Sequence, residues 1–185
     1  MPIKEKGGVP DEGALRSRLT FSGMVQPKYA VVIPLVYRPE GVELLVEIRA
    51  AGISQSGEPC FPGGHIEAGE RSKEAALREM KEELGIAAPE SALLGIIPTV
   101  HTPFGLVSDI YVCRLTGEMA DAMQPNPDEV ERVLRVKLDW LLKRPDESSY
   151  SVDGAVIWGM TAGAIHNLIQ VWNEAMKITE KGEAI

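Results

Sequence analysis

The distribution of apolar residues predicts five β-strands. Each segment alternates apolar and polar positions or forms a short continuous apolar run, and all are rich in Val, Ile and Leu. The first two are joined by the short segment RPEG, which predicts a hairpin turn, and the next two are separated by the turn segment HTPFG. The predicted strands lie at 29–37, 42–49, 92–100, 106–115 and 130–138.

Apolar residues at helical spacing predict two long helices. The first covers about 72–84, with Ser72 as its N-cap, and the second runs from about 158 to 177. The apolar stripe of the first helix, which should dock on a sheet, consists of Ala76, Leu77, Met80 and Leu84. The core residues expected from the second helix are Trp158, Ile165, Leu168, Ile169 and Trp172. A short helix is a further option around 10–19.

The order of these elements indicates the fold class. Strands occur in hairpins between two well-separated helices, which favours an α/β fold with a mixed β-sheet in an α/β/α sandwich over a doubly wound parallel sheet. Loops are expected at 50–59 and 117–129. We expect an N-terminal extension over 1–28, one domain over 29–178 and a C-terminal tail over 179–185.

Composition narrows the classes of function. The chain has 185 residues, a formal net charge of -8, 44% hydrophobic and 25% charged residues, which suits one globular domain. No basic run or basic-aromatic stripe suggests nucleic-acid binding, and no apolar run is long enough for a membrane span. The first residues, MPIKEKGGVPDEG, contain no apolar core of the length that a secretory signal needs. Cys60 and Cys113 make no disulfide framework, so we expect reduced thiols and a cytoplasmic location.

The first long helix carries its charge at the unfavourable end. Glu79, Glu82 and Glu83 crowd the last turn, where the helix dipole favours cations by roughly 0.3–1 kcal/mol each. Their i, i+3, i+4 spacing brings the carboxylates close enough to share one cation, and oxygen ligands suit Mg²⁺ or Mn²⁺ better than zinc. The alternative is a solvated acidic face interleaved with Arg78 and Lys81.

The segment before this helix completes a known motif. FPGGHIEAGE is rich in glycine, so its backbone can turn sharply and approach a ligand. Together with the helix, residues 64–86 read GHIEAGERSKEAALREMKEELGI and resemble the Nudix box, G-x5-E-x7-R-E-U-x-E-E-x-G-U, where U is a bulky apolar residue. The matching residues are Gly64, Glu70, Arg78, Glu79, Met80, Glu82, Glu83, Gly85 and Ile86.

This resemblance implies the Nudix fold and metal-dependent hydrolysis of a nucleoside diphosphate linked to another group. By position, Glu79 and Glu83 would be the principal Mg²⁺ or Mn²⁺ ligands, with Glu82 as a further ligand or water activator. The backbone carbonyl of Gly64 would also contact metal. Glu70 and Arg78 would orient the loop and the helix. The general base is left open among the glutamates.

Residues outside the box are weaker candidates for the site. Glu129 in NPDEV could complete the site or accept the proton, or it could be a turn-capping acid beside Asp128. Arg49 could bind a phosphate of the nucleotide, or be a solvated arginine at a strand end. Gly63 and Gly64 would contact the substrate.

The remaining sequence is similar to the coenzyme A pyrophosphatase branch of that family. LLVEIRA followed by FPGGHIE resembles its upstream signature, and the likeness spans about 30–172. It implies cleavage of coenzyme A or acyl-coenzyme A to phosphopantetheine, or its acyl form, and adenosine 3′,5′-bisphosphate. However, SQSGEP lacks the branch's usual arginine and glutamine, and 50–59 offers no basic side chain for a 3′-phosphate.

Two alternatives therefore stand. One is a pyrophosphatase for ADP-ribose or another nucleoside diphosphate sugar, and the other is a non-catalytic Nudix-like ligand-sensing module, which the retained box acids disfavour. The expected partner is a nucleotide-containing small molecule, with neither nucleic acid nor membrane, and a homodimer is left open. His101 could line the pocket or be a satisfied loop histidine.

Overall fold

A computed structural model of the chain describes residues 8–20, 26–97 and 108–182. The strands are β1 (Tyr29–Arg38), β2 (Gly41–Arg49), β3 (Pro59–Cys60), β4 (Gly63–His65), β5 (Leu93–Ile96), β6 (Ser108–Thr116), β7 (Val130–Lys137), β8 (Tyr150–Val152) and β9 (Ala155–Ile157). The helices are α1 (Glu12–Arg16), α2 (Ser72–Leu84), α3 (Gly117–Asp121), α4 (Leu138–Leu142) and α5 (Gly159–Gly182), with a 3₁₀ turn at Glu90–Ala92.

The main sheet is mixed and has a split at its centre. Strand β1 runs parallel to β6 and antiparallel to β2 near their shared turn, where Leu35 pairs with Leu44. Farther from the turn, β1 pairs with β4 and β2 pairs with β3, with Ala30 opposite Gly64 and Glu47 opposite Cys60. The segment 59–65 therefore lies between the diverging ends of the first hairpin, inside the sheet.

Apolar side chains form one core on each face of this sheet. One core packs α5, with the fully buried Leu168 and Trp172, against inward positions of β2 such as Leu44. The other packs the buried Met80 of α2 against Leu45 of β2. Alternation along β2 sends successive side chains to opposite faces, so the odd-numbered positions of this strand face α2. The mixed sheet between helical layers confirms the predicted α/β/α sandwich.

Most long elements follow the sequence pattern. Strands β1, β2, β5, β6 and β7, the first hairpin and helix α2 match predicted elements, and α1 confirms the short N-terminal helix. Residues 98–100 and 106–107 of the third and fourth predicted strands lie outside the described residues. Helix α1 packs on the core through the buried Leu15. Helix α5 continues to Gly182, past its predicted end at 177, because nothing in ITEKG stops it earlier. The HTPFG turn and His101 lie outside the described residues.

Three expectations were wrong. Ser72 is not the N-cap of α2: that position is Arg71, whose backbone N–H donates to Glu74, while the Ser72 hydroxyl bonds Asp109. Trp158 is 55% exposed, because it precedes the first turn of α5 instead of lying on its buried face.

The third error concerns the expected loop at 117–129, which contains the helix α3. Thr116 caps this helix by accepting from the Met119 N–H, and Ala120 anchors it in the core. Among the helices of the described ranges, none is both long and apolar enough to cross a bilayer.

Candidate active site

Arg78 ties the glycine-rich loop to the helix that follows it. Its guanidinium donates to Glu79 at 2.7 Å and Glu82 at 2.9 Å through one nitrogen, and to Glu70 at 2.9 Å through another. It also donates to the backbone carbonyl of His65 at 3.0 Å. The pKa of Glu70 lies below its usual range, because the hydrogen bond from Arg78 stabilises the carboxylate. Glu79 and Glu82 therefore both contact Arg78, and the sharing of a metal cation by the box glutamates, which their spacing suggests, stays a prediction.

Glu83 turns away from this pair and into the protein. Its side chain is buried, and one carboxylate oxygen accepts from the Gly63 backbone N–H at 2.9 Å. Burial raises the pKa of Glu83 well above its usual range, and the neighbouring Glu47, Glu79 and Glu129 carboxylates raise it further. A buried carboxylate surrounded by other carboxylates is costly unless a positive charge is present.

The two glycines of the loop allow their backbone to approach other groups closely. A Cβ on Gly64 would lie 2.3 Å from a carboxylate oxygen of Glu79. A Cβ on Gly63 would lie 2.6 Å from the carbonyl oxygen of Ala30 and 2.8 Å from the Cα of Val31. Only glycine fits both positions without displacement, so the backbone at Gly64 lies directly against Glu79 of α2 and the backbone at Gly63 lies directly against β1.

The acidic end of α2 is stabilised by a loop from elsewhere in the chain. Gly85 ends the helix in the left-handed conformation, with φ of 69°. The N–H of Gln124 donates to the carbonyl of Leu84 at 3.0 Å, and that of Asn126 to the carbonyl of Glu83 at 2.8 Å. These bonds satisfy carbonyl groups that a helix end leaves without partners, and they fix the 122–129 loop beside the box glutamates.

This loop brings Glu129 to the acidic cluster. The Glu129 carboxylate accepts from the side-chain amide of Asn126 at 3.0 Å, and its backbone carbonyl accepts from the Ala50 N–H at 2.9 Å. Burial raises the pKa of both Glu79 and Glu83, and the charge of Glu129 raises it further. The turn at this place is instead capped by the side chain of Asn126, which accepts from the Asp128 N–H at 3.1 Å.

Glu47 is a member of the cluster that sequence reasoning missed. It lies on β2, is 1% exposed, and accepts from the Cys60 thiol at 3.2 Å. Its other oxygen, Oε2, has no hydrogen-bond partner within the described parts of the chain. Burial raises the pKa of Glu47, and the charges of Glu129 and Glu79 add to this effect. An acid within the apolar strand VELLVEIR is the signal that could have identified it.

Arg49 lies two positions further along the same strand. Its guanidinium donates to the carbonyl of Ser54 at 2.8 Å and contacts the Cys60 sulfur at 4.0 Å, and its charge lowers the pKa of Glu47. The adjoining turn residues 51–57 are largely exposed and contain no lysine or arginine. Arg49 is therefore partly held by its own loop at the edge of the acidic cluster.

The donor set of this cluster fits a hard divalent cation. It consists of carboxylate oxygens, and two of the acids are buried. One buried acceptor, Glu47 Oε2, has no hydrogen-bond partner among the described residues. Over residues 8–20, 26–97 and 108–182, no three acidic, histidine or cysteine side chains enclose a metal position as they stand. This agrees with the contacts above, since Glu79 and Glu82 point to Arg78 and Glu83 points to Gly63.

Comparison with known proteins places this site in a family. The model of the NUDIX domain matches residues 26–152. Nudix hydrolase 3 of Caenorhabditis elegans is 32% identical over 148 residues, covering 77% of this chain and 60% of that protein. The mitochondrial coenzyme A diphosphatase of Homo sapiens is 28% identical over 180 residues, covering 91% of this chain and 76% of that protein.

A solved structure shares the fold. The NUDIX domain of Shewanella oneidensis NrtR, in a cocrystal with ADP ribose, superposes with a TM-score of 0.56 at 18% identity, covering 80% of this chain and 88% of that one. At this identity the likeness concerns the fold alone. The family match covers more than half of the chain and includes the glycine loop, α2 and Glu129. The chain belongs to the Nudix hydrolase family.

Proposed function

We propose that this protein hydrolyses the diphosphate of coenzyme A or its acyl thioesters with the help of Mg²⁺ or Mn²⁺. Water adds to one phosphorus of the diphosphate and the bridging P–O bond breaks, which gives phosphopantetheine, or its acyl form, and adenosine 3′,5′-bisphosphate. The observation that carries the proposal is the group of carboxylates around Gly63 and Gly64 of β4, two of them buried without a basic side chain in direct contact among the residues that the structure describes.

Glu79, Glu83 and Glu82, with the backbone carbonyl of Gly64, would hold the metal. When bound, a divalent cation neutralises the charge of the diphosphate and lowers the pKa of a bound water. The protein's own residues fix the geometry. Arg78 is held by the 2.9 Å bond to Glu70 and so keeps the glycine loop against α2. This leaves the loop backbone free to lie beside the substrate.

Three carboxylates are candidates to accept a proton from the attacking water, and they differ in their exposure. Glu82 is half exposed at 51% and Glu129 is partly buried, so both can be reached by water at the rim of the cluster. Glu79 is more enclosed, with 13% of its side chain exposed. We propose that the base is one of these three and that Glu83, which is buried against Gly63, serves as a ligand.

The preference for coenzyme A rests on similarity to curated relatives. The human relative at 28% identity is a coenzyme A diphosphatase, and so is the mouse peroxisomal relative at 30% identity. Arg49 lies at the edge of the cluster, where it could bind a phosphate of the nucleotide. A cytoplasmic location and a homodimer stay predictions.

A second candidate, ADP-ribose or another nucleoside diphosphate sugar, is favoured by one observation. The loop over 50–59, which adjoins the site through Arg49, contains no basic side chain that could bind the 3′-phosphate of coenzyme A. Such a loop is better suited to a nucleotide that lacks this phosphate.

The test is a substrate panel analysed by chromatography. The protein is incubated with coenzyme A, dephospho-coenzyme A or ADP-ribose, each with Mg²⁺ or Mn²⁺, and kcat/KM is compared. The coenzyme A proposal expects the highest value for coenzyme A or an acyl thioester. A higher value for ADP-ribose would move the assignment to the second candidate. Absence of turnover with every substrate and both metals would favour a non-catalytic, ligand-sensing role.

A further inference from the structure

Glu47 lies outside the Nudix box, on a strand of the main sheet. It comes from β2, in the middle of the sheet, and it is paired across the strands with Cys60 on one side and Val133 on the other. It is an odd-numbered position of β2 and so shares the face of Leu45, which packs into the core beneath α2. Glu47 thus reaches the acidic cluster from the sheet, whereas Glu79 and Glu83 reach it from α2.

The hydrogen bonds of Glu47 leave half of its carboxylate without a donor. Oε1 accepts from the Cys60 thiol at 3.2 Å, and Oε2 is buried with no partner among the described residues. Burial raises the pKa of the Cys60 thiol, which keeps the proton on sulfur and preserves this donor. Glu47 is 1% exposed. A buried acceptor without a hydrogen-bond donor normally lowers the stability of the fold by about 1–3 kcal/mol, and by more when it is charged.

The charges around Glu47 Oε2 indicate which kind of ligand would bind this oxygen. Glu83, Glu79 and Glu129 are all close enough for their charges to act on Glu47 or to be acted on by it. The nearby cation, Arg49, directs its donors to Ser54 and Cys60. A neutral donor such as water would satisfy one lone pair but leave the negative charges unbalanced, whereas a divalent cation would satisfy both requirements.

We propose that Glu47 is a further carboxylate of the metal site, contributed by the sheet and held in place by the Cys60 thiol. This inference rests on the proposed metal-dependent function and adds a residue that lies outside the Nudix box. It predicts that the site is closed from two sides, by the box acids of α2 and by Glu47 of β2. Loss of Glu47 should therefore weaken metal binding while the box remains intact.

The experiment is a Mn²⁺ titration of the whole protein, followed by calorimetry or by the electron paramagnetic resonance signal of free Mn²⁺. The test variant is Glu47→Gln, which keeps the size of the side chain and removes its charge. The matched control is Glu131→Gln, which removes the same charge from an exposed position of the neighbouring strand β7. Thermal unfolding of all three proteins in EDTA shows whether the variants are folded.

The proposal expects Mn²⁺ affinity to fall by about tenfold or more in Glu47→Gln, and to stay near the wild-type value in Glu131→Gln. In EDTA, Glu47→Gln should unfold at or above the wild-type temperature, since a buried amide replaces a buried charge. Equal Mn²⁺ affinity in Glu47→Gln and wild type, or no Mn²⁺ binding by wild type, would overturn the proposal. A marked loss of stability of Glu47→Gln in EDTA would also overturn it, because it would assign Glu47 a structural role.

These results are separate from those that test the substrate. If the wild-type protein binds Mn²⁺ but leaves coenzyme A and ADP-ribose intact, the proposed function fails, and the comparison of Glu47→Gln with Glu131→Gln still decides the role of Glu47.

Discussion

The two glycines of the 63–65 strand make opposite predictions when each is changed to alanine. The added Cβ of Gly64→Ala would lie 2.3 Å from the Glu79 carboxylate oxygen, which is the far end of a flexible side chain. The added Cβ of Gly63→Ala would lie 2.6 Å from the Ala30 carbonyl oxygen and 2.8 Å from the Val31 Cα, which are backbone atoms of β1. One clash can be relieved by a side-chain movement and the other cannot.

The magnitudes follow from these contacts. Ordinary van der Waals contact begins near 3.4 Å, so the Glu79 carboxylate must move by about 1 Å in Gly64→Ala. A displacement of this size in a group that positions the reaction can reduce kcat by about 10²-fold. In Gly63→Ala the sheet itself must shift, which should cost about 1–3 kcal/mol and lower Tm by roughly 3–9 °C.

The assay is kcat on the best substrate of the panel, together with Tm and Mn²⁺ affinity. We expect Gly64→Ala to lose activity with little loss of Tm, and Gly63→Ala to lose Tm. The control is Gly163→Ala on α5, where an added Cβ meets no atom within 4 Å, so activity and Tm should be kept or slightly improved. Wild-type kcat and Mn²⁺ affinity in Gly64→Ala would refute the reasoning, since the Glu79 carboxylate would then not need its place beside the loop.

Further predictions concern Glu83 and the packing of α2. Glu83→Gln should abolish turnover while the fold survives, because the amide still accepts from Gly63 but cannot balance a cation; near-normal kcat would contradict the site assignment. In EDTA, the raised pKa of Glu83 contributes stability that is complete below about pH 4.5 and is lost as the pH rises through the raised value. Wild-type Tm should therefore fall more than that of Glu83→Gln between about pH 5 and about pH 8, and parallel Tm curves would contradict this origin. Met80→Ala should lower the free energy of unfolding by about 2–5 kcal/mol in urea titrations, because Met80 is fully buried between α2 and the sheet, and a loss below about 1 kcal/mol would contradict that packing.

The parts of the fold that could be predicted from the sequence are those with a regular local pattern. Strand β1 and strand β2 repeat apolar residues over their whole length, and α2 carries both an apolar stripe and a complete motif. The strands β3 and β4 contain too few residues to show an alternation of apolar and polar positions. They form because β1 and β2 diverge away from their turn, so that β4 pairs with β1 and β3 pairs with β2. Such non-local pairing leaves no mark in the local sequence pattern.

The candidate site shows the same division. The box acids follow from residue spacing on one helix, and the 122–129 loop brings Glu129 close enough for its charge to act on Glu83, while its role in the site stays a prediction. The only signal for Glu47 is an acid within an apolar strand, and such an acid usually faces solvent; its burial depends on α2 and on Cys60 from distant parts of the chain. Ser72 was misassigned for a related reason: its hydroxyl has a tertiary partner in Asp109.

The most direct test of the central claim is a crystal structure of the protein grown with Mn²⁺, with the metal located by its anomalous scattering. We expect an anomalous peak bounded by carboxylate oxygens of Glu79 and Glu83 and by the Gly64 carbonyl, with the Glu82 or Arg78 side chain moved from its present contact. A fully loaded crystal with no peak between the glycine loop and α2, or with Glu83 still hydrogen-bonded only to Gly63, would contradict it.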